Sequence, residues 1–403
     1  MTRLRLQAFA LAASAALALL LTACGGSDPD VPGSVGPSGA PTTKGTFTAI
    51  VSFGTSPSDV GTYSPATSLA GNGQAPYFGG RFTTNSATGT VWVENLAVAL
   101  GITITAAEMG FNGTSVPCPA QAINPALAAT CTAYAQAGAL VTGRNGRGRD
   151  PATGAGALTV PVGMQIDNHL ARFTTFRSSD LIIVEGGLND LFNAFEVFGA
   201  AAAQIQARAA SGAISADEAN RQLFTAQTAA QTEMKKAALE LAGYVRDKII
   251  ARGGRYIAVA TIPDPASTPF GRSPQVAPAA SVLTALADTF NLWLREGLAN
   301  QPVQILDLRN FFNETVANPT RYGLANVTVP ACDAAKIAVV TGGQVTSGSS
   351  LFCNATPGVP YNGLRTGADP TTWFFADDIH PTTRGHQLIY EFANAQLRAF
   401  GWI

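Results

Sequence analysis

Four short, mostly apolar runs, at residues 48–53, 181–185, 256–261 and 303–308, constrain this chain more than any other feature. A run of that length and composition reads as a strand buried on both faces. A weaker candidate lies at 102–108. Between and after these runs the apolar spacing becomes helical. The clearest case is 215–252, where Met234, Ala237, Ala238, Leu241, Tyr244, Val245 and Ile249 recur on one helical face. Ser215 and Glu218 form a capping-box pair at its start, Asp217 suits the helix dipole, and Gly253-Gly254 ends it. Further helices fit 279–298 and 383–400. Strands alternating with helices require crossover connections, hence a mainly parallel sheet in a three-layer α/β domain. Ligands in such sheets bind beyond the carboxyl ends of the strands, so the residues just after each run are the ones to inspect.

With 403 residues and 46% apolar composition the chain can bury a large core. Only 13% of residues are charged and the net charge is −1, which argues against nucleic acid as a partner, since phosphate binding needs a basic face. The first residues have a different character. Arg3 and Arg5 precede an apolar run at 8–21, as in a signal peptide. Leu21-Thr22-Ala23-Cys24-Gly25 resembles the bacterial lipobox, in which the cysteine becomes the lipidated first residue of the mature protein. The expected organisation is a signal peptide at 1–23, lipidated Cys24 with a flexible Gly/Pro/Ser/Thr-rich tether to 46, and one domain at 47–403. By analogy with lipoprotein sorting, Gly25 in place of Asp points to the outer membrane.

Four cysteines remain: Cys118, Cys131, Cys332 and Cys353. In an oxidising compartment an even set suggests disulfides, and three pairings are open. The local pairs Cys118–Cys131 and Cys332–Cys353 close the shortest loops and are expected. A four-cysteine zinc site is the alternative, disfavoured because no C-x-x-C pair is present.

The strand ends hold the polar candidates. Ser56 follows the first run in Phe53-Gly54-Thr55-Ser56-Pro57-Ser58-Asp59. It is either a nucleophile or a helix N-cap, with Pro57 in the first turn and Asp59 completing a capping box. Asn189 follows the second run, after Gly186-Gly187, and is either an oxyanion donor or a turn residue. His380 lies three residues after Asp377, a spacing at which the carboxylate can orient the imidazole. The other histidines, His169 and His386, have no comparable setting and read as ordinary surface or helix residues. A metal site built from Asp377, Asp378, His380 and His386 lacks a helix-spaced histidine pair and is disfavoured.

Together these segments resemble the SGNH, or GDSL-type, esterase and lipase family. That family's nucleophile block, usually Phe-Gly-Asp-Ser-Leu-Ser-Asp, stands here as residues 53–59 with Thr55 and Pro57 in place of Asp and Leu. Its second block resembles Gly79-Gly80-Arg81-Phe82-Thr83-Thr84-Asn85, its third Gly187-Leu188-Asn189-Asp190, and its last Asp377-Asp378-Ile379-His380-Pro381-Thr382. Tyr134-Ala135-Gln136-Ala137-Gly138-Ala139 is also similar to a family segment. The resemblance runs from about residue 48 to the C-terminus.

The resemblance implies an α/β/α sandwich on a flavodoxin-like, mainly parallel, five-stranded sheet. It implies Ser56 as nucleophile, His380 as base, Asp377 as its orienting acid, and an oxyanion hole from Ser56 N–H, Gly80 N–H and the Asn189 side chain. No metal or organic cofactor is needed. The implied reaction is hydrolysis of a small-molecule or lipid ester. Deacetylation of polysaccharide uses the same residues, and a non-catalytic ligand-binding lipoprotein is the alternative that Thr55 motivates. Pro57 removes the N–H that an α/β-hydrolase needs after its nucleophile, so it counts against that fold and is tolerable here. Thr55 loses a charge and is expected to reduce or alter activity. Loops near 64–76 and 116–130 are expected to set acyl length. The insert near 199–215 and the helix after it are expected to pack on the sheet rather than form a lid.

Overall fold

A computed structural model describes residues 39–70, 79–356 and 362–403. Strands β1 (Ala49–Phe53), β2 (Thr105–Ala106), β5 (Cys131–Ala133), β6 (Asp180–Val184), β7 (Tyr256–Ala260) and β8 (Gln304–Leu306) form one sheet in the order β2-β5-β1-β6-β7-β8. Every pairing in it is parallel. The four strong runs are thus strands, and the sheet is parallel as expected. It has six strands rather than five, because Cys131–Ala133 also joins it. Three residues are too few to display a period, so composition hides that strand. The weak run at 102–108 contributes only Thr105–Ala106; from Glu108 the chain turns into a separate antiparallel hairpin, β3 (Glu108–Phe111) and β4 (Thr114–Pro117).

The central strands are buried at every position because alternate residues feed two cores. Val51, Phe53, Ile182, Val184, Ile257 and Val259 face one core. Ile50, Leu181, Ile183, Tyr256 and Ala258 face the other. Helices α2 (Val162–Phe173), α3 (Leu188–Ala210), α4 (Ala216–Tyr244) and α5 (Ala280–Gly297) cover the first face. Helices α1 (Trp92–Ala99), α6 (Leu308–Ala317) and α7 (Thr383–Ala399) cover the second. The expected long helix continues past α4 through a π turn and a 3-10 turn to Arg252, and Gly253 at φ 91° closes it. Ser215 Oγ caps it by accepting from Glu218 N at 3.2 Å. The reciprocal half of the capping box is missing, since the Glu218 carboxylate binds Arg221 and Gln222 instead.

The hairpin of α3 and α4 answers the expectation of packing only in part. At about 1.5 Å per residue α3 is roughly 34 Å long, twice the height of a five-residue strand. Its buried residues are Leu188–Ala194 positions at its start plus Ile205. In α4, Ala219 is buried, and then burial resumes only at Ala230. The buried packing thus lies at the start of α3 and from Ala230 onward in α4, with Phe195 and Phe198 partly buried against the same core. Between them most side chains face solvent, and Val197 and Phe224 are 72% and 63% exposed.

The signal peptide, Cys24 and most of the tether lie outside the described residues, as does the loop expected at 64–76 from residue 71 onward. The tether's last part is docked earlier than position 46 suggested. Pro41 O accepts from Trp402 Nε1 at 2.7 Å, Thr43 O accepts from Tyr256 Oη at 3.3 Å, and Gly45 N donates to Trp402 O at 2.9 Å. No helix among the described residues is long and apolar enough to cross a membrane.

Both secondary histidines lie on helices, as the sequence allowed, and are buried in the core. His386 accepts from Trp92 N at 3.3 Å through Nδ1 and donates to Phe82 O at 3.2 Å through Nε2. Its ring is thereby committed to tying α7 to the start of α1. His169 sits among Phe53, Tyr134, Phe173 and Phe176, and neither ring nitrogen has a hydrogen-bond partner among the described residues. Burial, with Arg177 and Arg172 nearby, lowers its pKa to about 4. The unfolded chain takes up this proton near pH 6.5 and the folded one resists it. The contribution to stability is therefore complete above pH 6.5 and declines as pH falls toward 4, by roughly 2–4 kcal/mol in all. His169→Phe is expected to flatten the fall of thermal stability between pH 7 and pH 4. Parallel melting-temperature curves for the two proteins would refute this.

Candidate active site

The site is built at the carboxyl edge of the sheet, where β1 stands between β5, on one side, and β6, on the other. The chain leaves β1 toward one edge of the sheet and returns to build the other, so β1 marks the switch point where such sheets bind ligands. Ser56 heads a single 3-10 turn, Ser56–Ser58, directly after β1. No side-chain cap bond forms there. The Ser56 hydroxyl instead meets His380 Nε2 at 2.8 Å. Asp59 completes no capping box; its carboxylate accepts from Gly61 N, Thr62 N and Ala137 N at 3.0, 2.7 and 2.9 Å. Those bonds fasten the segment after the Ser56 turn to the chain after β5.

His380 is held from its other side. Its Nδ1 lies 2.9 and 2.8 Å from the two carboxylate oxygens of Asp377. Asp377 Oδ1 also accepts from His380 N at 2.7 Å and Ile379 N at 3.0 Å, and Oδ2 accepts from Ser350 N at 2.9 Å. Burial pushes the Asp377 pKa up, but the His380 imidazole and the hydrogen bonds from His380 and Ser350 outweigh it and hold the carboxyl well below its usual range. Phe82 covers the imidazole, with ring centroids 4.8 Å apart.

The Cys332–Cys353 disulfide underlies this support. It fixes the turn that carries Ser350, and Asn85 Nδ2 braces the same turn by donating to Ser350 O and Cys353 O at 2.9 and 3.3 Å. The second disulfide, Cys118–Cys131, joins the end of the β3–β4 hairpin to the start of β5. Both expected pairings thus form. The four-residue metal alternative does not assemble, since both ring nitrogens of His386 are engaged with backbone.

Asn189 lies in the first turn of α3, next to Ser56's strand. Gly187, at φ 102°, makes the turn into the helix; a Cβ there would stand 2.2 Å from Phe290. Asn189 Nδ2 donates one N–H to Ala139 O at 2.9 Å, which leaves its second N–H available. Asp190 accepts from Val141 N at 3.1 Å and so fixes the same junction.

Gly80 departs from expectation. Its N–H donates to Leu351 O at 3.0 Å and is therefore not free for an oxyanion. The second block works as a brace: Arg81 binds Glu94 through Nε and Nη2 at 2.7 and 2.6 Å, and Asn85 grips the 350–353 turn. A backbone N–H that sequence reasoning passed over is that of Gly138. It follows β5, between Ala137, held by Asp59, and Ala139, held by Asn189. No partner of its N–H occurs among the described residues, and it is half-buried at φ 78°. The signal was the Tyr134–Ala139 segment itself, a glycine just past a strand.

Residues 50–393 match the family described as GDSL-like Lipase/Acylhydrolase. The chain belongs to this family. The GDSL assignment covers the sheet from Ile50 onward and every site residue above. Three curated relatives agree in part. An uncharacterized protein in the trpE-trpG intergenic region of Pseudomonas putida is 34% identical over 152 residues, 36% of this chain and 22% of that protein. Esterase EstA of Pseudomonas aeruginosa and esterase EstA of Pseudomonas putida are each 32% identical over 147 residues, 36% of this chain and 20% of theirs. The chain thus matches about a fifth of the length of these relatives. The family is one of lipases and acylhydrolases.

Proposed function

We propose that the chain is a serine carboxylic-ester hydrolase in which Ser56, His380 and Asp377 act as a triad. The observation that carries this is the unbroken relay Ser56 Oγ–His380 Nε2, His380 Nδ1–Asp377 at 2.8 Å each. In this reading neutral His380 takes the Ser56 proton as Oγ bonds to the ester carbonyl carbon. The tetrahedral oxyanion is met by Ser56 N–H, Gly138 N–H and Asn189 Nδ2–H. His380 then protonates the leaving alcohol as the carbonyl–oxygen bond breaks, giving an acyl-Ser56. Water, deprotonated by His380, releases the acid and restores Ser56. Phe82 beside His380, and Phe192 against Phe270 one turn beyond Asn189, support an apolar acyl portion in the substrate.

A fluorophosphonate probe tests the reading. Wild type should be labelled, and Ser56→Ala should not. Equal labelling of the two, or none of the wild type, would sink it. The same proposal takes the protein as an outer-membrane lipoprotein anchored through Cys24, on the strength of the lipobox-like residues 21–25. Cys24→Ser should abolish metabolic labelling by fatty acid; undiminished labelling would remove the anchor.

A further inference from the structure

The nucleophile turn lacks the family's acidic residue at position 55, yet a carboxylate is there. Glu185 is the first residue after β6, and the β1–β6 register that pairs Phe53 with Val184 sets it opposite Gly54. Its Oε1 accepts from Thr55 N, and its Oε2 accepts from Thr55 Oγ1 at 3.0 Å. Glu185 therefore holds the residue directly before Ser56 through both its backbone and its side chain. Ser58, two residues after Ser56, accepts from Trp92 Nε1 at 3.1 Å through Oγ. Gly54 is required for this approach, since a Cβ there would lie 2.3 Å from Glu185 Oε1. Gln165 fixes Gly54 from the other side, accepting from Gly54 N and donating to Gly54 O, each at 2.8 Å.

We propose that Glu185 is the positioning residue of the nucleophile turn, supplying from β6 the carboxylate that position 55 lacks. The inference rests on Ser56 being the nucleophile. All partners of the Glu185 oxygens named above are donors, which suits the ionised form. Burial raises its pKa to about 7, against the lowering by Thr55 and Ser58, and Asp59 is the charged neighbour that raises it further. Asp59 in turn stands near Arg81, itself paired with Glu94. One consequence reverses the simple view of Thr55. Restoring Asp at 55 would face two buried carboxylates across one hydrogen bond, so the family residue is harmful here unless Glu185 also changes.

The test compares wild type, Glu185→Gln, Thr55→Asp and the double variant Thr55→Asp/Glu185→Gln, each checked for folding by circular dichroism. Glu185→Gln should lower kcat by about tenfold or more with KM within about twofold, and slow fluorophosphonate labelling in parallel. The acid limb of its kcat/KM profile should also become less steep, because wild type must ionise Glu185 and the variant has no such group. Thr55→Asp should lose at least as much. The double variant should recover about tenfold over Thr55→Asp, as the amide introduced on β6 donates to the new carboxylate in the nucleophile turn. A folded Glu185→Gln with kcat within about twofold of wild type overturns the proposal, as does a double variant no better than Thr55→Asp. Either result with normal wild-type labelling spares the reading of Ser56; absence of wild-type labelling removes both.

Discussion

Asparagine in place of Asp377 is expected to lower kcat by roughly 10³–10⁴ while the protein stays folded. The carboxylate accepts from four N–H groups: His380 Nδ1, His380 N, Ile379 N and Ser350 N. An amide has one accepting oxygen and an NH2 group that can only donate. Whichever way it is turned, NH2 faces backbone N–H groups, Ser350 N on one side or His380 N and Ile379 N on the other, and lies within reach of the imidazole Nδ1. Donation to His380 Nδ1 would force the proton onto Nε2, the nitrogen that must accept from Ser56. The imidazole would then sit in its present place in the wrong tautomer. Steady-state turnover of a p-nitrophenyl ester, with melting temperature as control, measures this. A folded Asp377→Asn that keeps more than about a tenth of wild-type kcat would remove Asp377 from the mechanism.

The ease with which these parts could be read from sequence follows their chemistry. Strands buried on both faces, such as 181–184, have no polar alternate and announce themselves. His380 and Asp377 were legible because their relation is local, three residues apart on one turn. Gly80 misled because a glycine beside Arg-Phe says nothing about where its N–H points; Leu351, far along the chain, decides that. Glu185 was hidden for the same reason. At the end of a strand a glutamate reads as a solvated residue, and only the pairing of β1 with β6 turns it under Ser56. His169 was missed because nothing local distinguishes a histidine in an aromatic cage from one on a helix surface. The cage draws on β1, the segment after β5 and the turn before β6.

Asn189→Ala is expected to cost about 10²–10³ in kcat with little change in KM, the signature of a donor used mainly in the transition state. The side chain is preorganised: one N–H is spent on Ala139 O, which fixes the amide plane, and Asp190 locks the neighbouring Val141 N–H. Removing the amide takes away the free N–H and leaves the Ala139 carbonyl without its donor. Ser56 and His380 are untouched, so fluorophosphonate labelling should persist, though slowed. Kinetics on p-nitrophenyl esters of two chain lengths separate the possibilities. A loss confined to KM would make Asn189 a substrate-binding group, and a kcat within about threefold of wild type would take it out of the oxyanion hole. The backbone donors offer no equally clean test. Gly138 adopts φ 78° and a Cβ there would lie 2.1 Å from Arg147 O, so its replacement would disturb the turn itself. Gly80 donates to Leu351 and would report on that brace. In the proposed mechanism the oxyanion donors can therefore be probed by side-chain removal chiefly at Asn189.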